Sequence, residues 1–302
     1  MGGVRCTGAR GVLACLALCA LACAGAADEV SGISWRDVPS PASSSRAKKN
    51  NGSDTWAVIV STSRYWLNYR HATNALAVYQ AVRNLGVPDS RIVLMLAEDF
   101  AHNPRNVREG QLFLDPRLRR DVHEGAVEVD YAGDEVSVES FVRVLTGRHP
   151  ASVPRSRTLG SGPASDVFVY VTGHGGENFM KFQDREQMLG EDFAGAVSEM
   201  RALGRYARLS LVFDTCKAAT LCRHLASPNL TCLASSLRGQ NSYSKTASGH
   251  VGNSLVDEMT FFLHDYLTSG GERSLFGKDA GLAMYNHLLE KQEHSTPYFR
   301  AT

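Results

Sequence analysis

Two short apolar runs, each ending at a residue capable of nucleophilic or proton-transfer chemistry, most constrain what this chain can fold into. The first, residues 166–174, ends at His174, and the second, residues 207–216, ends at Cys216. Both are rich in β-branched and aromatic residues, which predicts buried strands. Ligands of an open parallel α/β sheet bind beyond the carboxyl ends of its strands, so we expect both side chains at one rim. This layout indicates a thiol enzyme.

Apolar runs alternate with segments of helical spacing along the chain. Strands are predicted over 56–61, 91–96, 166–172, 207–214 and 230–234, and helices over 70–85, 138–145 and 189–203. The alternation favours an α/β fold with a mostly parallel central sheet and helices on both faces. Ser254 with Asp257 predicts a capping box that opens a further helix. Loops 100–127, 236–252 and 268–280 are candidates for rim or substrate contacts.

The first segment has the composition of a secretory signal peptide. Arg5 and Arg10 precede an apolar run from Val12 to Ala24, and small residues follow where a signal peptidase would cut. The run is too short to span a bilayer, which disfavours a membrane anchor. We predict a signal peptide at 1–27, a polar flexible tail at 28–54 and one domain at 55–302. We expect no transmembrane helix in the mature chain, since no later stretch is apolar over a spanning length.

Charge and cysteine content narrow the function classes. Without residues 1–27, 30 Lys and Arg face 31 Asp and Glu, so no nucleic-acid partner is expected. Cys216, Cys222 and Cys232 remain, and an odd number in an oxidising compartment suggests a free reactive thiol or an intermolecular bridge. A Cys222–Cys232 bridge stays open at this point. The sequons at Asn51 and Asn229 fit a lumenal glycoprotein.

The pattern assigns chemical roles around Cys216. A cysteine attacks carbonyls as the thiolate, and His174 is the predicted general base and later the acid. The N–H groups of Gly175 and Cys216 are the predicted oxyanion hole. A short helix over 217–224 is expected to favour the anion through its dipole. Singly, such a cysteine is more often a small core residue and such a histidine a surface or core group; their matching strand-end positions favour catalysis.

The end of the first predicted strand supplies two more candidates at the same rim. Asn68 is predicted to orient the His174 imidazole, because a base needs its other nitrogen held in one tautomer. His71 competes with His174 for the base role. It begins a helix without flanking glycines, so we interpret it as structural or pocket-lining.

Several motifs resemble those of the catalytic subunits of glycosylphosphatidylinositol (GPI) transamidases. The resemblance covers roughly residues 54–265 and rests on these segments: Ser-Arg-Tyr-Trp-Leu-Asn-Tyr-Arg-His ending at His71, Leu-Met-Leu-Ala-Glu-Asp ending at Asp99, Asn-Pro-Arg-Asn ending at Asn106, Val-Glu-Val-Asp-Tyr ending at Tyr131, Thr-Gly-His-Gly-Gly ending at Gly176, Lys-Phe-Gln-Asp ending at Asp184 and Phe-Asp-Thr-Cys ending at Cys216. Legumain-type proteases share the Asn-Tyr-Arg-His segment and the His/Cys pair but not the run from Gly173 to Asp184.

The resemblance implies a caspase-like three-layer α/β sandwich with Cys216 as nucleophile, His174 as base and acid, and Asn68 as the orienting residue. It implies cleavage of a C-terminal attachment signal after a small residue, a Cys216 thioester, and transfer to the ethanolamine amine of the GPI lipid. The chain would act in the endoplasmic reticulum lumen, and noncatalytic membrane subunits would deliver both substrates to it. By similarity to legumain-type pockets, Asp214, Ser235 and Ser236 would lie near the substrate, although ordinary loop polar groups are an equal interpretation.

The resemblance also implies a structural calcium site and no cofactor for the chemistry. Its ligands would be Asp89, Glu128, Asp130 and the carbonyl of Ile92, an oxygen set that suits a hard cation. Without the resemblance, these acids read as solvated turn and strand residues.

The chain departs from the relatives in two ways. Many relatives carry a C-terminal transmembrane helix, whereas none is expected in this chain, so its membrane association is expected to depend on partners. His102 stands where relatives tend to carry a cysteine that bridges to a partner subunit, so the resemblance does not extend to that bridge.

Two alternative functions remain. One is a legumain-like lumenal endopeptidase that releases the acyl group to water. The other is an inactive scaffold that only assembles partners, which the intact Cys/His/Asn set disfavours.

Overall fold

The computed structural model describes residues 54–123, 127–270 and 274–302. The predicted signal peptide 1–27 and all of the predicted tail 28–54 except Asp54 lie outside these residues, as does the sequon at Asn51. The first strand begins at Thr55.

A seven-stranded sheet forms the centre of the fold. Its strands span Thr55–Ser61 (β1), Ile92–Leu96 (β2), Tyr131–Ala132 (β3), Asp166–Thr172 (β4), Arg208–Asp214 (β8), Leu230–Ala234 (β9) and Tyr298–Ala301 (β12). The strand order is β12-β9-β8-β4-β1-β2-β3, and every neighbouring pair is parallel except β12 with β9.

Register aligns the carboxyl ends of the central strands. Thr172 of β4 pairs with Ser61 of β1 on one side and with Asp214 of β8 on the other. Leu96 of β2 pairs with Ser61 in turn. The chain therefore leaves β1, β2, β4 and β8 at one edge of the sheet, as the sequence predicts.

In the described part of the chain, six α-helices cover the two faces: Tyr69–Asn84 (α1), Val138–Thr146 (α2), Gly190–Ala202 (α3), Ala219–Cys222 (α4), Glu258–Thr268 (α5) and Lys278–Lys291 (α6). Alternate strand residues divide the core, because successive side chains point to opposite faces. Ile59 and Phe168 belong to the cluster with α1, α5 and α6, while Val58 and Val169 belong to that with α2, α3 and α4. This arrangement is a three-layer α/β sandwich.

Two smaller sheets follow the central strands, and one of them begins directly after His174. Gly175–Gly176 (β5), Phe179–Phe182 (β6) and Glu186–Leu189 (β7) form a three-stranded antiparallel sheet directly after His174. Ser244–Ser248 (β10) and Asn253–Asp257 (β11) form a hairpin. The predicted capping box is wrong, because Ser254 lies inside β11 and the Asp257 side chain turns toward α1 instead of capping α5.

Within the three described ranges, no helix combines the length and the apolar character that crossing a membrane requires.

Candidate functional site

Asn68 and His174 form the best-defined pair at the rim. The Asn68 side chain comes from a single 3-10 turn, Trp66–Asn68, that follows β1, and His174 comes two residues after β4. His174 Nε2 lies 2.8 Å from Asn68 Oδ1. Asn68 Nδ2 donates to the Arg64 carbonyl at 2.6 Å, so the amide is fixed with its oxygen toward the imidazole.

This hydrogen bond fixes the tautomer of His174. A carboxamide oxygen only accepts, so Nε2 must carry the proton and Nδ1 is left with a lone pair. Burial lowers the pKa of His174 below its usual value, and the positive charge of Arg70 lowers it further. The imidazole is therefore neutral at neutral pH, which is the state a general base requires.

Cys216 follows β8 at the position that corresponds to His174 after β4. Each residue lies two positions beyond the paired ends Thr172 and Asp214. The Gly173 N–H donates to the Asp214 carbonyl at 3.4 Å, so the segments that follow β4 and β8 remain hydrogen-bonded just beyond the sheet. Cys216 is a free, partly exposed thiol, whereas Cys222 and Cys232 form a disulfide.

The turn that carries Cys216 is tight. Lys217 has a left-handed φ of 56°, which is uncommon for a residue other than glycine. The expected helix over 217–224 is only the single turn Ala219–Cys222, so its dipole has little to contribute to the thiolate.

The backbone near Cys216 fits the predicted oxyanion hole. A Cβ on Gly175 would meet the Thr215 hydroxyl at 2.5 Å and the Phe179 carbonyl at 2.8 Å, so only glycine allows this approach. Within the described ranges, no protein group accepts the Cys216 N–H, which leaves it available to an oxyanion.

Asp214, Ser235 and Ser236 lie beneath the Cys216 turn, and their side chains are fully buried. The two serine hydroxyls donate to the Thr215 carbonyl at 3.0 and 2.9 Å. Asp214 accepts from Ser242 at 2.9 Å and from Thr260 at 2.6 Å, and burial raises its pKa. The serine contacts support the turn from within, and substrate contact by the three residues stays a prediction.

A buried acidic network behind the imidazole escaped sequence reasoning. Asp257 accepts from Arg70 Nε at 3.0 Å and from Asn74 Nδ2 at 2.6 Å. Burial raises the pKa of Asp257 to about 7, and the neighbouring charge of Asp214 adds to the rise. The Asn-Tyr-Arg-His motif contains Arg70, but the sequence pattern predicts no role for Arg70 and places Asp257 in a capping box.

His71 is enclosed behind His174. Its Nδ1 lies 2.8 Å from the Ser63 hydroxyl, and its ring meets that of His174 edge to face at 4.9 Å. Burial holds the pKa of His71 well below its usual value, and the charges of Arg70 and His174 act in the same direction. These surroundings suit a neutral packing partner.

The residues of the expected calcium site lie around the start of β2. Burial raises the pKa of Asp130 to about 6, and the charges of Glu128 and Asp89 add to the rise. Asp130 also accepts the Leu94 N–H at 2.9 Å, and Ile92 follows the 3-10 turn Asp89–Arg91. Repelling carboxylates beside a backbone carbonyl fit a hard cation. In the described ranges the three carboxylates do not converge within 4.8 Å of one another, so the site stays a prediction.

A second group of possible metal ligands, Glu258, Glu293 and His294, does converge. Lys245 Nζ lies 3.5 Å from Glu258 and 3.3 Å from Glu293. The ammonium group thus occupies the place of a cation.

The fold and the rim together define a class of protein. A caspase-like α/β sandwich that sets a free cysteine and an asparagine-bonded histidine after adjacent strands belongs to the cysteine peptidases. The Peptidase C13 family matches residues 55–267, and the chain belongs to this family.

Curated relatives carry a more specific name. The chain is 45% identical over 219 residues to the GPI-anchor transamidase of Homo sapiens, covering 72% of this chain and 55% of that protein. It is 41% identical over 253 residues to the GPI-anchor transamidase of Schizosaccharomyces pombe, covering 83% and 66%. The chain thus spans about half the length of the mammalian relatives it matches.

The fold is also similar to a solved structure. Caspase-1 from Spodoptera frugiperda matches with a TM-score of 0.51 and 11% identity, over 87% of this chain and 93% of that one. This likeness confirms the caspase-like fold.

Proposed function

We propose that this chain is the catalytic subunit of a GPI transamidase. It cleaves the C-terminal attachment signal of a proprotein and transfers the new C-terminus to the ethanolamine amine of a GPI lipid. The observation that carries the proposal is the 2.8 Å contact between Asn68 and His174, because His174 follows the strand β4, which pairs with the strand β8 that precedes Cys216. The identity to GPI-anchor transamidases supports the choice of substrates.

In the first half-reaction, Cys216 becomes acylated. His174 Nδ1 takes the thiol proton, and Sγ attacks the carbonyl carbon of the scissile amide. The N–H groups of Gly175 and Cys216 stabilise the negative oxygen of the tetrahedral intermediate. The C–N bond then breaks, His174 protonates the departing amine, and a thioester remains on Cys216.

In the second half-reaction, the amine of the lipid anchor attacks the thioester carbonyl. His174 removes a proton from the attacking nitrogen, the C–S bond breaks, and the Cys216 sulfur recovers the proton. The product is an amide, so the bonds made and broken balance without a cofactor. Transfer requires the amine to win over water, which means that a bound acceptor must exclude water from the thioester.

We further propose the cellular setting. The chain acts in the endoplasmic reticulum lumen, where noncatalytic membrane subunits hold it and present the proprotein and the lipid. Asp214, Ser235 and Ser236 lie near the substrate in this proposal, and the two serine hydroxyls fix the Thr215 carbonyl next to Cys216.

Nucleophile trapping tests this function. The native complex is incubated with a proprotein substrate and increasing concentrations of hydrazine, and the mass of the cleaved product is measured by mass spectrometry. We expect the hydrazide to replace the acid as hydrazine rises. Cys216→Ala is expected to remain in the complex and form neither product, whereas Gly195→Ala, on the outer helix α3 with open space around the position, is expected to form both.

Other results would contradict the proposal. Acid product at a constant rate with no hydrazide would indicate a legumain-like endopeptidase. Anchor attachment that survives Cys216→Ala in cells would indicate a scaffold.

A further inference from the structure

A strongly basic segment lies between β2 and β3. Residues 105–120 contain five arginines (Arg105, Arg108, Arg117, Arg119 and Arg120) and two acids, in a chain whose net charge is close to zero. All five arginines are exposed. Neither the catalytic chemistry nor the expected calcium site uses them.

Two adjoining cavities open into this segment. One of about 350 Å³ and one of about 510 Å³ share Arg108 and Leu118 as lining residues. Arg119 lines the first cavity, and Arg117 and His250 line the second. Three of the five arginines therefore line a concave site rather than a flat surface.

The nearby carboxylates compensate this positive charge only in part, and one of them, Asp121, also lines the first cavity. Asp115 accepts the backbone N–H groups of Arg117, Arg119 and Arg120 at 2.9–3.0 Å, and Asp121 accepts those of Leu112 and His123. Asp115 lies 3.7 Å from Arg119. Among the described residues, no acidic side chain pairs with Arg108 or Arg117. Guanidinium groups without a carboxylate partner are suited to bind phosphate bidentately.

Apolar side chains accompany the arginines. Val107 is 63% exposed and lines the second cavity, and Leu118 faces both cavities from a left-handed φ of 51°. A branched side chain held in this conformation costs free energy, and such strain concentrates at functional sites. Cationic and apolar groups in one cavity match a ligand that is itself anionic and apolar.

Hydrogen bonds connect the residues around the cavities to the segment that carries Asn68. Phe113, which lines the first cavity, donates its N–H to the Tyr69 hydroxyl at 2.7 Å, and Tyr69 directly follows Asn68. The hairpin that carries His250 is bonded to both parts. Asn253 donates to the Trp66 carbonyl at 2.6 Å, and Thr246 donates to the Leu114 carbonyl at 3.0 Å. A ligand in the cavities would thus lie on the same rim as Asn68.

We propose that these two cavities bind the net anionic phosphodiester headgroup of an inositol phospholipid, which lacks the cationic choline of phosphatidylcholine, with Arg108 and Arg117 on the phosphate and Val107 and Leu118 beside the glycerol and first acyl carbons. The inference deepens the proposed function and rests on it for the role of the lipid, which is to bring the acceptor amine toward the thioester. This contact would add to the hold of the membrane subunits without replacing it, because exposed cations are attracted to anionic lipids and salt weakens this attraction.

Vesicle binding tests the proposal without any turnover. The full chain is sedimented with phosphatidylcholine vesicles that contain phosphatidylinositol, and separately with pure phosphatidylcholine vesicles. We expect salt-sensitive binding to the first only, weakened about tenfold or more by the double variant Arg108→Gln with Arg117→Gln. The control, Arg155→Gln with Arg201→Gln, removes the same charge from exposed arginines elsewhere and is expected to bind as the wild type does.

Three results would overturn the proposal: no binding to either vesicle, equal losses in the two double variants, or arginine-dependent binding of soluble glycerophosphoinositol without binding to vesicles. The hydrazine assay on the same proteins separates this proposal from the proposed function. Hydrazide formation without vesicle binding contradicts the lipid site alone, and vesicle binding without hydrazide formation contradicts the transamidase alone.

Discussion

At the scale of single residues, Asn68 determines which nitrogen of His174 can accept a proton in the proposed mechanism. The Arg64 carbonyl holds the Asn68 amide, the amide oxygen holds Nε2, and Nδ1 is left for the thiol proton. A neutral acceptor such as an amide fixes the tautomer without stabilising the imidazolium as strongly as a carboxylate would.

Replacing this amide by a carboxylate gives the first prediction. Asn68→Asp places a negative charge at 2.8 Å from Nε2, so the pKa of His174 rises. NMR titration of the His174 ring protons is expected to show this rise, while Asn68→Ala is expected to lower catalysis about tenfold or more by freeing the ring. An unchanged His174 titration in Asn68→Asp would contradict the contact between the two side chains.

Gly175 gives a second prediction at this scale. The Cβ of Gly175→Ala would collide with Thr215 and the Phe179 carbonyl and so displace the Cys216 turn. We expect lost catalysis with a retained fold, measured by activity and circular dichroism. Gly195→Ala in α3 is the matched control. No atom lies within 4 Å of the added Cβ, and alanine is more favourable than glycine in a helix by about 1 kcal/mol. Full activity in Gly175→Ala would contradict this role.

At the scale of elements, buried carboxyl groups join the helices and strands behind the site. Asp257 of β11 binds Arg70 and Asn74 of α1, and Asp214 of β8 binds Thr260 of α5. Two buried carboxyls in one network repel each other when both are ionised, so the folded state favours a protonated form.

This network predicts a pH dependence of stability. Folding raises the pKa of Asp257 from 3.8 to about 7, so the folded protein binds more protons than the unfolded protein in this interval. The contribution of Asp257 to the free energy of unfolding therefore falls as pH rises from about 4 to about 7 and is level above. Urea denaturation across this range is expected to show a smaller fall in Asp257→Asn. An equal fall in both proteins would contradict the shared network.

The acids around the start of β2 give a prediction about calcium. A bound cation would relieve the repulsion that Glu128 and Asp89 exert on Asp130, so Ca²⁺ is expected to raise the thermal midpoint of the protein. Asp130→Asn is expected to abolish this rise, and Glu290→Gln on the exposed side of α6 is expected to keep it. A rise of equal size in both variants would place the ion elsewhere.

At the scale of the whole molecule, the sequence was most informative about the central strands. The apolar runs of β1, β2, β4, β8 and β9 predict their positions closely, because buried parallel strands are continuously apolar. The alignment of His174 with Cys216 then follows from topology alone, since parallel neighbours end at the same edge.

The parts that escaped prediction lie at the edges and in polar segments. Strand β10 reads Ser-Lys-Thr-Ala-Ser and has no apolar alternation, and β5 consists of two glycines. Pairing with neighbours rather than local propensity makes these segments strands. The Asp257 network likewise depends on contacts between residues more than 180 positions apart, which no local pattern encodes.

The most direct test of the central claim, that His174 activates Cys216, is the alkylation rate of Cys216 by iodoacetamide at neutral pH, followed on its peptide by mass spectrometry. We predict that His174→Ala slows alkylation about tenfold or more by removing the base that takes the thiol proton, while His71→Ala retains most of the wild-type rate. Equal rates in His174→Ala and the wild type, or a larger loss in His71→Ala, would contradict the account.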